Sequence, residues 1–234
     1  MKNVRYLYFL WSIGLTLSFI LIGFSAKTQD LGSWNILNAK YKIDQKWSAF
    51  GEAQLRSLLF YSNYNYHEFK GGINFQPQKA IVFTLAGGKY DTYGDGGNFV
   101  IPKNRSEVRL WPQVQISHQI NAFKIENRIR TEFRFSPSGY RNRFRNRYGM
   151  VYPLLKNKKG ENILEMGVYN ELFFTNIAPY FERNRASINL NCKITKQSTV
   201  MIGYLNQFDY KINDESGRDF LQIGYSYEFI LKKK

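Results

Sequence analysis

At 234 residues the chain is short enough for one β-barrel to use its whole length, and nothing in it calls for a second domain. Aromatic residues make up 17% of it while the mean hydropathy is −0.43, a pairing that suits a wall with one apolar and one wet face. The single cysteine, Cys192, excludes an intramolecular disulfide framework and a cysteine zinc site, and the formal net charge of +15 leaves nucleic acid, anionic lipid and anionic solutes as partner classes to separate.

The first thirty residues remove nucleic acid. Lys2 and Arg5 precede an apolar run from Leu7 to Phe24, followed by small residues, which is the order of a secretory signal. Cleavage fits after Ala26-Lys27-Thr28 or after Gly23-Phe24-Ser25, so residues 1–28 are predicted to be a signal peptide and 29–234 the mature domain. No cysteine follows the run, as lipoprotein processing would need, and an uncleaved anchor is the alternative. Loss of Lys2, Arg5 and Lys27 takes the net charge from +15 to +12, so the basic excess belongs to the mature protein. No later stretch is long and apolar enough for a transmembrane helix; a membrane would have to be crossed by strands.

Downstream the chain reads with period two. Strands are predicted at 33–43, 47–57, 64–75, 80–90, 104–118, 123–135, 140–152, 162–174, 182–194, 199–211 and 219–231. The clearest runs from Phe123 to Phe135: Phe123, Ile125, Ile129, Phe133 and Phe135 take one face, and Lys124, Glu126, Arg128, Arg130, Glu132 and Arg134 the other. Connections at 44–46, 76–78 and 195–197 read as tight turns, and 91–103 and 175–181 as looser loops, the asymmetry of an outer-membrane barrel. Such barrels have an even number of strands in bacteria, so the count of eleven implies one miscounted or non-spanning segment, and the expectation is about ten to twelve. Asn127, Asn142, Asn146, Asn170 and Asn184 fall on the outward face, against the apolar pattern.

Arginine on a lipid-facing surface would cost about 2–4 kcal/mol at the membrane midplane, so the charged face must point inward. Hairpin geometry then sorts the charges. A turn at Pro137-Ser138 sets Glu132 beside Arg143, and a turn over 119–122 sets Arg109 beside Glu132 and Glu107 beside Arg134. The following hairpins set Arg143 beside Glu171 and Glu171 beside Arg185, giving a ladder of alternating sign from Arg109 through Glu132, Arg143 and Glu171 to Arg185. Arg128, Arg130, Arg145 and Arg147 are left without acidic partners and form a candidate anion site, suited to phosphate, sulfate or carboxylate. The competing reading is that the charges merely fill and stiffen a narrow lumen.

No catalytic constellation stands out. His67 and His118 both fall on the outward face, away from any nucleophile in the lumen. The carboxylates sit among arginines, which favours ion pairing over acid catalysis. Gly94-Asp95-Gly96-Gly97 precedes no helix that could present its N-terminus to phosphate.

The residues now in view carry a resemblance. Gly32-Ser33-Trp34, Trp47-Ser48, Glu107-Val108-Arg109-Leu110-Trp111, Glu126-Asn127-Arg128, Tyr140-Arg141-Asn142-Arg143-Phe144-Arg145, Asn170-Glu171-Leu172-Phe173-Phe174 and Arg183-Asn184-Arg185 occur in an order similar to that of an uncharacterised outer-membrane barrel family, domain of unknown function 2490. The similarity extends from Trp34 to Phe229 and implies an outer-membrane barrel with no catalytic residues to carry over. The aromatic last strand also resembles the recognition strand of such barrels, departing from it in the tail 230–234.

The reading is therefore an all-β, antiparallel up-and-down transmembrane barrel in the outer membrane of a Gram-negative bacterium. It is not expected to be an enzyme or to hold a cofactor or metal. Its expected partners are outer-membrane lipid and lipopolysaccharide, with small anionic solutes as candidate ligands. An anion-selective, porin-like pore is the first alternative, and a secreted soluble β-sandwich binding module the second.

Overall fold

The computed structural model describes residues 31–212 and 215–230; the predicted signal peptide and the tail 231–234 lie outside the described residues. Eleven strands follow one another: β1 (Gly32–Lys42), β2 (Trp47–Leu59), β3 (Ser62–Gln78), β4 (Ile81–Gly94), β5 (Val100–Ile120), β6 (Phe123–Ser136), β7 (Gly139–Lys156), β8 (Asn162–Thr175), β9 (Phe181–Lys193), β10 (Ser198–Asp209) and β11 (Ser216–Ile230). Each pairs with its neighbour in sequence, and β1 pairs with β11 to close a barrel.

The eleven segments predicted from alternation are the eleven strands of the wall, so no segment was miscounted. The odd number has one geometric consequence. An up-and-down meander with an odd strand count ends with its first and last strands running the same way, so the closing pair is parallel, in register from Gly32 opposite Phe220 to Lys42 opposite Ile230. The barrel is thus mixed and not purely antiparallel. On the inside, Lys42 Nζ reaches Glu228 across this seam at 2.6 Å, and Trp34 meets Phe220 edge-to-face at 5.6 Å.

The expected contrast between tight turns and long loops is reduced: 176–180 joins β8 to β9 much as predicted, but most of the predicted loop 91–103 is strand. β4 and β5 continue to pair as far as Gly94 opposite Val100, through irregularities at Tyr93, and leave only residues 95–99 as a loop. Asp95, Gly96, Gly97 and Asn98 lie in that loop, while the flanks of the predicted segment, 91–94 and 100–103, lie in strand ends, where bulges at Tyr93 absorb the extra residues. At the β1–β2 turn, Asp44 Oδ1 accepts the backbone N–H groups of Lys46 and Trp47, both at 2.7 Å, and these donors hold its carboxyl below the usual range.

Alternation sorts the side chains into two media. Large hydrophobics stand exposed on the outside of the wall, among them Leu37 in β1, Phe69 in β3, Leu85 in β4, Leu110 in β5, Ile129 in β6, Val168 in β8 and Ile202 in β10. Outward aromatic pairs mark both rims: Trp47 with Phe75, Phe123 with Tyr152 and Tyr227 with Phe229 at one, Phe60 with Tyr61 and Phe135 with Tyr140 at the other. Among the described residues, nine buried hydrophobic side chains stand against twenty-two buried polar or charged ones, so the protein is polar inside and apolar outside. Two aromatic groups interrupt the polar interior, Trp34 with Leu205 and Phe220, and Tyr90 with Ala86 and Trp111.

The outward asparagines pair with one another. Asn127 donates to Asn146 at 2.8 Å, Asn146 donates to the Tyr148 hydroxyl at 3.0 Å, and Asn170 and Asn184 exchange bonds at 3.2 and 3.3 Å. Asn142 accepts the hydroxyl of Tyr140. Amides satisfied across neighbouring strands can be carried on an apolar surface at reduced cost.

Candidate functional site: the charged interior

The inner face of β5–β9 carries a continuous ion-pair belt. Glu132, fully buried, receives Arg143 and Arg145 at 2.6 Å each, with Arg130 at 3.6 Å and Arg109 at 3.9 Å. Arg145 forks onward to Glu171 at 2.9 Å, and Arg128 reaches the same carboxylate at 2.5 Å. On the other side Glu107 holds Arg109 at 2.5 Å and Arg134 at 2.7 Å, and Glu182 links Arg134, Arg141 and Arg143 at 3.3–4.0 Å. Bidentate guanidinium–carboxylate contacts are the strongest available to these groups, and in a confined space they hold strands to strands.

Aromatic rings support the cations. Phe173, fully buried, lies under the guanidinium groups of Arg143, Arg145, Arg183 and Arg185 at 4.6–5.9 Å. Arg109 covers Tyr90 at 3.8 Å, and Arg130 faces Trp111 at 5.0 Å. Arg147 faces Tyr169 at 4.8 Å, and that ring lies over two glycines: a Cβ on Gly149 would stand 2.4 Å from it, and one on Gly167 2.6 Å.

All nine residues singled out from sequence are on this inner face, but their connections differ in part. Glu132 is opposite Arg143 and Glu171 opposite Arg185, as the hairpin arithmetic requires. Two other registers are displaced. Arg109 is opposite Arg134, not Glu132, because the β5–β6 turn is Asn121-Ala122 and not 119–122. Arg143 is opposite Thr175 and Glu171 opposite Arg147, because β7 runs on to Lys156 and its turn is centred further along. The alternating path therefore runs from Arg109 through Glu132 and Arg145 to Glu171 and Arg128, taking two members from the set assigned to an anion.

The expected anion cluster is thereby corrected. Arg128 and Arg145 are held by carboxylates, and Arg130 chelates Gln113 Oε1 at 2.7 and 2.9 Å beside Glu132. Among the described residues, only Arg147 of the four has no carboxylate oxygen within ion-pair distance; it faces Tyr169.

A second group lies on β1–β3, where sequence reasoning named no site. Arg56 is packed between Trp34, 3.4 Å from its ring centroid, and Tyr66, at 4.0 Å. Glu68 lies 3.4 Å from it and is also held by Lys70 at 2.6 Å, which reaches Glu52 at 2.5 Å. The signal was present: Glu52, Gln54 and Arg56 alternate in β2 as Tyr66, Glu68 and Lys70 do in β3, and they stand opposite one another. His67 and His118 are both on the outer side of the wall; His67 Nε2 lies 3.0 Å from the Tyr93 hydroxyl.

The two groups enclose a cavity of about 820 Å³, lined from Lys40, Ser48 and Gln76 near one rim to Arg105, Asp209 and Arg218 near the other. A closed β-barrel with an ion-paired polar interior around a basic cavity is the class that fold and site define. The chain belongs to the family described as protein of unknown function (DUF2490), whose family model matches residues 31–218 and so contains every motif that carried the resemblance. Among curated proteins none matches it.

Proposed function

We propose that the mature chain is an integral outer-membrane barrel of a Gram-negative bacterium, delivered by a cleaved signal peptide. Its charged interior acts first as structure and its role lies in interaction, not catalysis. The observation that carries this is the outside of the wall: large apolar side chains exposed around the barrel, bounded at both rims by aromatic pairs. A water-soluble protein does not expose a contiguous apolar band of that kind, whereas lipid requires it. Its partners on this reading are outer-membrane lipid and lipopolysaccharide. Cell fractionation tests it: the protein should be found in the outer membrane, with gel mobility that changes on heating. Recovery from the soluble periplasm without a mobility change would sink it and favour the soluble alternative.

The cavity supports a second reading, in which the barrel passes small anions. Its lining approaches both rims and carries more arginine than carboxylate, so anions should be concentrated inside it. Purified protein in planar bilayers should then conduct with anion preference. Cation preference, or no conductance under any condition, would rule the pore out and leave the barrel as a sealed structural element.

A further inference from the structure

We propose that the interior contains an oxyanion-binding position between Arg56 of β2 and Arg185 of β9, suited to a phosphate or carboxylate group. The observation is a pair of neighbouring buried cations, one with no acid in reach among the described residues and the other sharing its single acid with two further donors. Arg185 stands directly opposite Glu171, yet among the described residues no carboxylate oxygen lies within ion-pair distance of its guanidinium, because Arg128 and Arg145 occupy Glu171. Its Nε donates to Gln207 Oε1 at 2.9 Å, and its planar face meets Trp34 and Phe173, each at 4.9 Å. Arg56 is as deeply buried, both being 9% exposed, and its Nε has no partner at all. The one carboxylate near it, Glu68, is already held by Lys70 and by the Tyr66 hydroxyl.

Geometry brings the two together across the barrel. Their guanidinium carbons lie 3.4 and 4.9 Å from the centroid of the same ring, Trp34, and so can be no more than 3.4 + 4.9 = 8.3 Å apart. A carboxylate or phosphate centre sits about 4 Å from a guanidinium carbon in a forked contact, so a separation of about 8 Å or less lets one such group reach both cations. Both side chains line the cavity, which gives an anion space to enter. A buried cation that no acid neutralises, as Arg185 is, destabilises the fold, and an anion taken up between it and Arg56 relieves that cost. Burial inside the wall keeps the phosphate of a membrane lipid away, which leaves a free ion or the acidic group of a small solute as the ligand.

The inference rests on the proposed barrel, and the test separates the two. Full-length mature protein, first shown to have heat-dependent gel mobility in detergent, is titrated with inorganic phosphate, with citrate as a carboxylate probe and chloride as control at matched ionic strength. Phosphate or citrate should raise the unfolding temperature saturably, and equilibrium dialysis should find about one bound anion per barrel. Arg185→Gln should fold at least as stably as the parent without phosphate, since no acid is orphaned, and should bind about ten-fold more weakly or worse. Arg185→Lys, which keeps the charge and loses the fork, should lie between, and Arg147→Gln should respond as the parent does. An equal response in Arg185→Gln, or a rise that chloride reproduces, would overturn the site. A heat-modifiable barrel with no saturable response removes this site alone, whereas the absence of barrel behaviour removes the membrane reading with it.

Discussion

The interior has two sides built from the same cation and different partners. On β5–β8 and the start of β9 arginines meet carboxylates: Glu107, Glu132, Glu171 and Glu182 each bind two or more of them. Around Trp34 they meet chiefly rings and amides, Arg56 between Trp34 and Tyr66 with only the shared Glu68 as an acid, and Arg185 against Trp34 and Phe173 beside Gln207. The first side is closed electrostatically apart from Arg147, and its value is cohesion. The second keeps unspent positive charge beside a cavity. Net charge alone does not separate a cross-linked wall from a binding surface; the distribution of acids among the arginines does.

The largest expected effect falls on the acid-rich side. Glu132→Ala leaves Arg143 and Arg145 each without its 2.6 Å contact in a fully buried position, and should cost about 3–5 kcal/mol in urea unfolding of the refolded barrel. An unchanged stability would mean that water solvates the belt and would erase the contrast between the two sides. The paired replacement of Arg130 and Arg145 by Gln should be destabilising too, since both are neighbours of Glu132.

A smaller effect should follow on the aromatic side. Arg56→Met removes stacking on Trp34 and Tyr66 but leaves Glu68 with Lys70 and Tyr66, so the loss should be about 1–2 kcal/mol by the same assay. A cost equal to that of Glu132→Ala would show that the two sides are not energetically distinct.

The smallest effect lies outside both. Asp44 sits on the exposed β1–β2 turn, and two backbone N–H donors lower its carboxyl pKa. A lowered folded-state value gives stability that is present above the ordinary aspartate range, near about 4, and is lost as pH falls through the folded value. Asp44→Ala should therefore melt slightly below the parent at neutral pH, and the gap should close in acid. A gap that persists unchanged in acid would assign the effect to turn conformation and not to charge.

Which residues face inward was legible in the sequence, but which of them touch was only partly so, and one physical fact explains both. The β5–β6 register differs from expectation by two residues and the β7–β8 register by four. An even displacement returns every side chain to the same face of a pleated strand, so the sorting of Arg109, Glu132, Arg143, Glu171 and Arg185 to the interior survives errors that rearrange their contacts. Turn length fixes the register, and Asn121-Ala122 is too short a signal to place to the residue. The Arg56–Trp34–Arg185 contact was hidden for another reason: these residues belong to β2, β1 and β9, and only closure of the barrel brings them across its interior. The parallel seam follows from the strand count, but a prior expectation of even numbers pointed away from it.

That seam also sets the order of events in making the molecule. Every other pair in the wall is a hairpin whose partners emerge next to each other, whereas Gly32 must find Phe220 from the opposite end of the sequence. The loop-closure entropy of that encounter is the largest in the fold, and contacts so distant in sequence form slowly. Slanted parallel hydrogen bonds are also slightly weaker per residue than the antiparallel ones around them. The line between β1 and β11 is therefore expected to zip last and part first, with the ion pairs of Lys40 and Lys42 to Glu228 spanning it.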